Sequence, residues 1–92
     1  MKWTKKQDII AYYLYRVSNS KTRSEINNTG KKIGIESGTL YMRIKNFQFL
    51  DGKGGLNHPA IMSKETFGEL RHTTLEELEN LASKILSDHS SR

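Results

Sequence analysis

The apolar residues near the start of the chain recur on a helical period. Ile10, Tyr13, Leu14 and Val17 follow i, i+3, i+4, i+7 spacing, and Ile9, Tyr12 and Tyr15 widen the same arc. Thr4 followed by Gln7 is a capping box, with the threonine oxygen taking an orphan amide and the glutamine reaching back to the cap. The pattern predicts a helix from Lys5 that the polar run Ser18–Ser20 ends.

The next stretch, KTRSEINNTGKKIGI, is a weaker helix former because Asn27, Asn28, Thr29 and Gly30 all have poor helix propensity. Ser24 is the cap it offers, and Ile26, Ile33 and Ile35 are its apolar anchors. Gly30 calls for a close approach by another helix, and Gly34 reads as a helix stop. After Ser37 as cap, TLYMRIKNFQFL carries Leu40, Ile44 and Phe47 at i, i+4 and i+7. Thr39, Met42, Lys45, Asn46 and Phe49 lie away from that stripe, flanked by Tyr41 and Arg43.

Glycines and one proline break the pattern in DGKGGLNHPA. Two more helices follow. A short one is capped by Ser63, runs to about Arg71 and buries Phe67 and Leu70. The last is capped by Thr74 with Glu77 and carries the stripe Leu75, Leu78, Leu81, Ala82, Ile85 and Leu86. The expectation is an all-α, single-domain bundle of four to five helices over residues 1–92. A helix-turn-helix falls at about 24–50, a C-terminal helix at about 74–87 and a frayed tail at 87–92.

Composition narrows the class without changing the fold. A chain of 92 residues has room for one core. It has no cysteine, so no disulfide and no cysteine-based zinc site holds it together, which suits a reducing cytoplasm. Its longest apolar run, Ile9 to Tyr15, is far short of the roughly 20 residues that span a bilayer, and no signal peptide precedes it. The reading is a soluble, cytoplasmic protein with no membrane partner.

Charge adds more. The formal net charge is +5, and residues 1–53 hold eleven Lys or Arg against four Asp or Glu, whereas residues 54–92 hold four against six. A basic front half points to a polyanion partner; a lysine-rich surface kept for solubility is the plainer reading of the same count.

Two helices joined by a short glycine-containing turn, the second one basic, form the pattern of a helix-turn-helix. In that arrangement the second helix enters the major groove of double-stranded DNA. Thr39 and Asn46 then hydrogen-bond bases and Met42 meets a thymine methyl. Arg43 grips a guanine or a phosphate, while Lys31, Lys32 and Lys45 hold phosphates. Each residue also has a structural role open to it: Asn46 as a brace for the adjoining loop, Arg43 as a solvated charge, Phe49 as a contact to the C-terminal helix.

Three strings resemble the small N-terminal module that precedes the nuclease domain in HNH-type restriction endonucleases of bacteria and phages. They are WTKKQDIIAYYLY, then LYMRIKNFQFLD from Leu40 to Asp51, and a looser match in GGLNHPA from Gly54 to Ala60. The resemblance covers about residues 3–86 and implies a helical, DNA-associated module, here without the nuclease. Gly52 stands where that family often has proline, so the exit turn departs from its pattern.

No catalytic constellation accompanies these strings. His58, His72 and His89 lie 14 and 17 residues apart and do not make the metal-binding unit of an HNH nuclease. Glu76, Glu77 and Glu79 are the solvated face of the last helix, favourable near its N-terminus, and not a metal cluster. Neither a nucleophile elbow nor a phosphate-binding glycine loop is present. The reading is therefore a DNA-binding protein, a regulator or a restriction, defence or phage accessory module, with no enzymatic activity, metal or cofactor. The alternative is an adaptor that binds a nuclease or host protein, docking through Met42 and Phe49. The stripe of the C-terminal helix leaves a homodimer open, although a chain this short needs that face for its own core.

Overall fold

The computed structural model describes residues 3–54 and 59–90, and these form helices joined by short turns, with no strand among them. Five helices follow one another: α1 (Lys5–Arg16), α2 (Arg23–Lys32), α3 (Ser37–Leu50), α4 (Ile61–Leu70) and α5 (Leu75–Ser90), with a turn of 3-10 helix at Ser18–Ser20 after α1. The all-α bundle expected from the periodicity is what forms. Within the expected loop DGKGGLNHPA, residues 55–58 lie outside the described residues.

α1 is the central element and packs against each of the other four helices. Its sequence explains the position. Ile10, Ala11, Tyr12 and Leu14 are all buried, so the apolar arc is wide enough to meet neighbours on several sides. The ring of Tyr12 meets Phe47 of α3 edge-on at 5.1 Å and Phe67 of α4 at 6.1 Å. Such edge contacts add about 0.5–1.5 kcal/mol each to the burial of the rings themselves. The Thr4 and Gln7 capping box forms as expected, and Gln7 also donates from Nε2 to the Ile33 carbonyl at the end of α2, 3.1 Å away.

The turn between α2 and α3 is a Schellman motif. The Ile35 amide reaches back to the Gly30 carbonyl (2.9 Å) and the Gly34 amide to the Lys31 carbonyl (3.1 Å), with Gly34 at φ 76°. Gly30 is where the close approach occurs: a Cβ placed there would stand 2.8 Å from Leu40 Cδ2. α3 ends the same way, the Lys53 amide returning to the Gln48 carbonyl across Gly52 at φ 75°.

Four local expectations are corrected. α2 is capped by Thr22 with Glu25, not by Ser24, because Thr22 and Glu25 have the three-residue separation of a capping box. Ser37 is the first residue of α3; Glu36 precedes it and no side chain caps that end. Ser63 lies inside α4, fully buried, and Ala60 stands at the cap. The segment expected to fray from residue 87 stays helical to Ser90. Much of the α5 stripe is used at home: Leu78, Ala82 and Ile85 are core residues, Leu81 and Leu86 are half-buried, and Leu75 alone of the stripe is exposed.

Candidate nucleic-acid interface

The seven residues singled out in the sequence divide into two groups. Thr39 and Met42 stand exposed on α3, Met42 at 52%, and Lys31 and Lys32 are exposed at the end of α2. Lys45 is half-buried, its Nζ 5.2 Å from the centre of the Tyr41 ring. Gly34 and Glu36 line two adjoining hollows, one shared with Lys31 and the start of α3, the other with Trp3, Thr39 and Arg43. The end of α2 and the first turn of α3 therefore make one continuous surface.

Asn46 and Arg43 belong to the interior. Asn46 is only 8% exposed, on the packed side of α3, so its amide is not available to a base edge while the helix stays in place. The Arg43 side chain is 19% exposed and bound inward. Its Nη1 donates to Ser63 Oγ at 3.1 Å and lies 3.6 Å from Asp8 Oδ1, and its guanidinium carbon sits 4.5 Å over the Trp3 ring. Asp8 Oδ1 also accepts from Trp3 Nε1 (3.0 Å) and Ser63 Oγ (3.1 Å). Asp8 is completely buried, so this cluster places a positive charge beside, and hydrogen-bonds one oxygen of, a carboxylate that the fold has taken out of water, while Oδ2 makes no hydrogen bond among the described residues. Periodicity gave no signal for it, since Asp8 in the first turn of a helix and Arg43 beside an apolar stripe both read as solvated charges.

Among the described residues the remaining cations of the α2–α3 surface form no ion pair, although Lys21 and Glu25 interact electrostatically. Among the described residues the ion pairs are Lys5–Glu69, Arg43–Asp8 and Lys53–Asp51, none of which involves Lys21, Arg23, Lys31, Lys32 or Lys45. Glu25, the acid within α2, has its carboxylate committed to the Thr22 cap, and the backbone hydrogen bond from Thr22 holds its pKa below the ordinary glutamate value. Glu36 is the one acidic residue lining the two hollows at the start of α3. Phe49, expected against the C-terminal helix, instead remains 39% exposed.

At the far end of α3, Tyr15 donates to Asp51 Oδ2 at 2.6 Å. Burial, and then that bond, push the Tyr15 phenol well above the usual tyrosine range. Among the described residues no group of His, Cys, Asp or Glu side chains is placed to hold a metal ion, and no helix is long and apolar enough to cross a membrane. The chain matches no protein-family model, no curated protein and no solved structure.

Proposed function

We propose that the protein binds double-stranded DNA through the α2–turn–α3 unit acting as a helix-turn-helix. The observation that carries this reading is the pair of exposed cations at the end of α2, Lys31 and Lys32, which form no ion pair among the described residues; Lys31 shares a hollow with the first turn of α3. In the proposed complex α3 enters the major groove with Thr39 and Met42 toward base edges. Lys31, Lys32 and Lys45 hold phosphates and fix the register, and Arg43 supports α3 from behind. Such a role is what the resemblance to nuclease-associated modules implies, and it calls for no catalytic group in this chain.

Titrating duplex DNA at several salt concentrations tests the proposal. Binding is expected near about 50 mM salt, with an affinity that falls steeply as salt rises, by roughly 0.9 log units per log salt for each phosphate neutralised. Absence of binding at low salt, or a flat salt response, overturns it.

A second reading has its own observation. Met42 and Phe49 leave apolar surface exposed on α3, which suits docking to a nuclease subunit or a host protein. A protein partner captured from a nuclease-treated lysate, and lost on Met42→Ser with Phe49→Ser, favours this adaptor role.

A further inference from the structure

A separate hollow of about 250 Å³ lies on the flank of α3 that faces the start of α2. Ile26, Leu40 and Ile44 form an aliphatic floor, Tyr41 a wall, and Lys21 and Arg23 stand at the mouth. On the helical wheel Leu40, Tyr41 and Ile44 occupy a different side of α3 from Thr39, Met42 and Phe49, so this hollow borders the surface proposed to meet DNA only at Lys45, beside Tyr41. It is smaller than the roughly 300–1,000 Å³ of a site for a whole small molecule, and suits one large apolar side chain.

We infer that this hollow docks an acidic segment of a partner protein that inserts one large apolar side chain. Charge complementarity selects the occupant. No Asp or Glu lines the hollow. The Arg23 guanidinium carbon rests 5.4 Å from the centre of the Tyr41 ring and Lys45 Nζ 5.2 Å from the same ring, so an aromatic face, not a carboxylate, holds both cations beside the opening. A guanidinium held this way keeps its planar fork of donors free for a bidentate carboxylate. Glu25, the acid within α2, accepts from the Thr22 amide at 3.0 Å and also acts on Lys21, so Arg23 is the cation that a partner's carboxylate meets first. Single-stranded nucleic acid fits less well, because binding it relies on aromatic faces for stacking bases, and here the one aromatic wall is occupied by two cations above an aliphatic floor.

Selection of a random peptide library on the full chain tests the inference, followed by anisotropy titration of a labelled enriched peptide. Enriched sequences should combine a Leu, Phe or Trp with several Asp or Glu residues. Lys21→Glu with Arg23→Glu should weaken the peptide about tenfold or more, as loss of matched charge does, whereas Lys31→Glu with Lys32→Glu should leave it unchanged. Circular dichroism of each variant confirms that it is folded. Enrichment without acidic residues, or affinity indifferent to Lys21→Glu with Arg23→Glu, overturns the inference. So does displacement of the peptide by oligothymidylate whose own binding is lost in that variant, which would reassign the hollow to single-stranded nucleic acid. Duplex binding that fails while the peptide result holds would reject the DNA reading alone.

Discussion

Arg43 and Trp3 are stacked, the guanidinium carbon 4.5 Å from the centre of the ring, while both side chains reach the same oxygen of buried Asp8. With Ser63 they tie the segment leading into α1, α1 itself, α3 and α4 to a single carboxylate. Removing Arg43 leaves that charge buried and under-compensated. Arg43→Ala is expected to cost about 3 kcal/mol, and Trp3→Phe, which deletes one donor and keeps the ring, about 1 kcal/mol. Urea denaturation midpoints check both values. Arg43→Lys is expected to leave the ranking of duplex sequences unchanged, because the side chain supports α3 from the inner side; a changed ranking would return Arg43 to the reading face.

What could be read from the sequence follows the range of each interaction. Thr4 with Gln7, Gly34 as a stop and Gly30 as a contact point depend on neighbours a few residues away, and the linear pattern shows them. The Thr22 and Glu25 box is equally local, and it prevails over Ser24 because capping requires the right separation as well as the right residue type. The Asp8 cluster includes a bond between residues 55 positions apart, and Arg43 and Asn46 change role because of what α1 and α4 bring to them. Helix periodicity locates a face but does not say how much of its edge a neighbour covers.

Gly30 and Gly68 make a matched pair of helical glycines. A Cβ at Gly30 would meet the buried Leu40 at 2.8 Å, whereas one at Gly68 meets nothing within 4 Å. Alanine gains about 1 kcal/mol of helix propensity over glycine, and overpacking a core contact costs about 1–3 kcal/mol. Gly68→Ala should therefore raise the melting temperature. Gly30→Ala should lower it and weaken duplex binding by shifting α3 against α2. Thermal unfolding of the two variants, with duplex titration of each, checks the prediction.

Tyr15 is expected to make the protein sensitive to alkali. Its folded-state pKa is raised above the ordinary value of 10.0, chiefly by burial and then by the bond to Asp51. The stabilisation of the protonated phenol is complete below that ordinary value and declines above it, as the unfolded chain releases a proton that the folded one retains. Tyr15→Phe should cost about 0.5–1.5 kcal/mol at neutral pH through the lost hydrogen bond. The gap between wild type and variant should be constant from pH 7 to about pH 9 and narrow above about pH 10. Urea titrations across this range, compared pairwise so that the other tyrosines cancel, test it.

Substitutions at Glu36 can separate fold stability from the proposed DNA affinity. It occupies the cap position of α3 with extended backbone, φ −69° and ψ 147°, yet its side chain makes no capping bond, so the first amides of α3 lack that partner. It is also an acid beside the surface proposed to meet phosphates. Glu36→Asp places a shorter carboxylate where it can accept from those amides, and should stabilise by about 0.5–1 kcal/mol without raising duplex affinity, since the charge remains. Glu36→Ser supplies a cap and removes the charge; its gain in stability should be smaller, because a negative charge near a helix N-terminus is itself worth about 0.3–1 kcal/mol. Its duplex affinity at low salt should nevertheless rise several-fold, and the difference from Glu36→Asp should shrink as salt is added. If both variants bind DNA as wild type does at every salt concentration, the start of α3 does not approach the phosphate backbone.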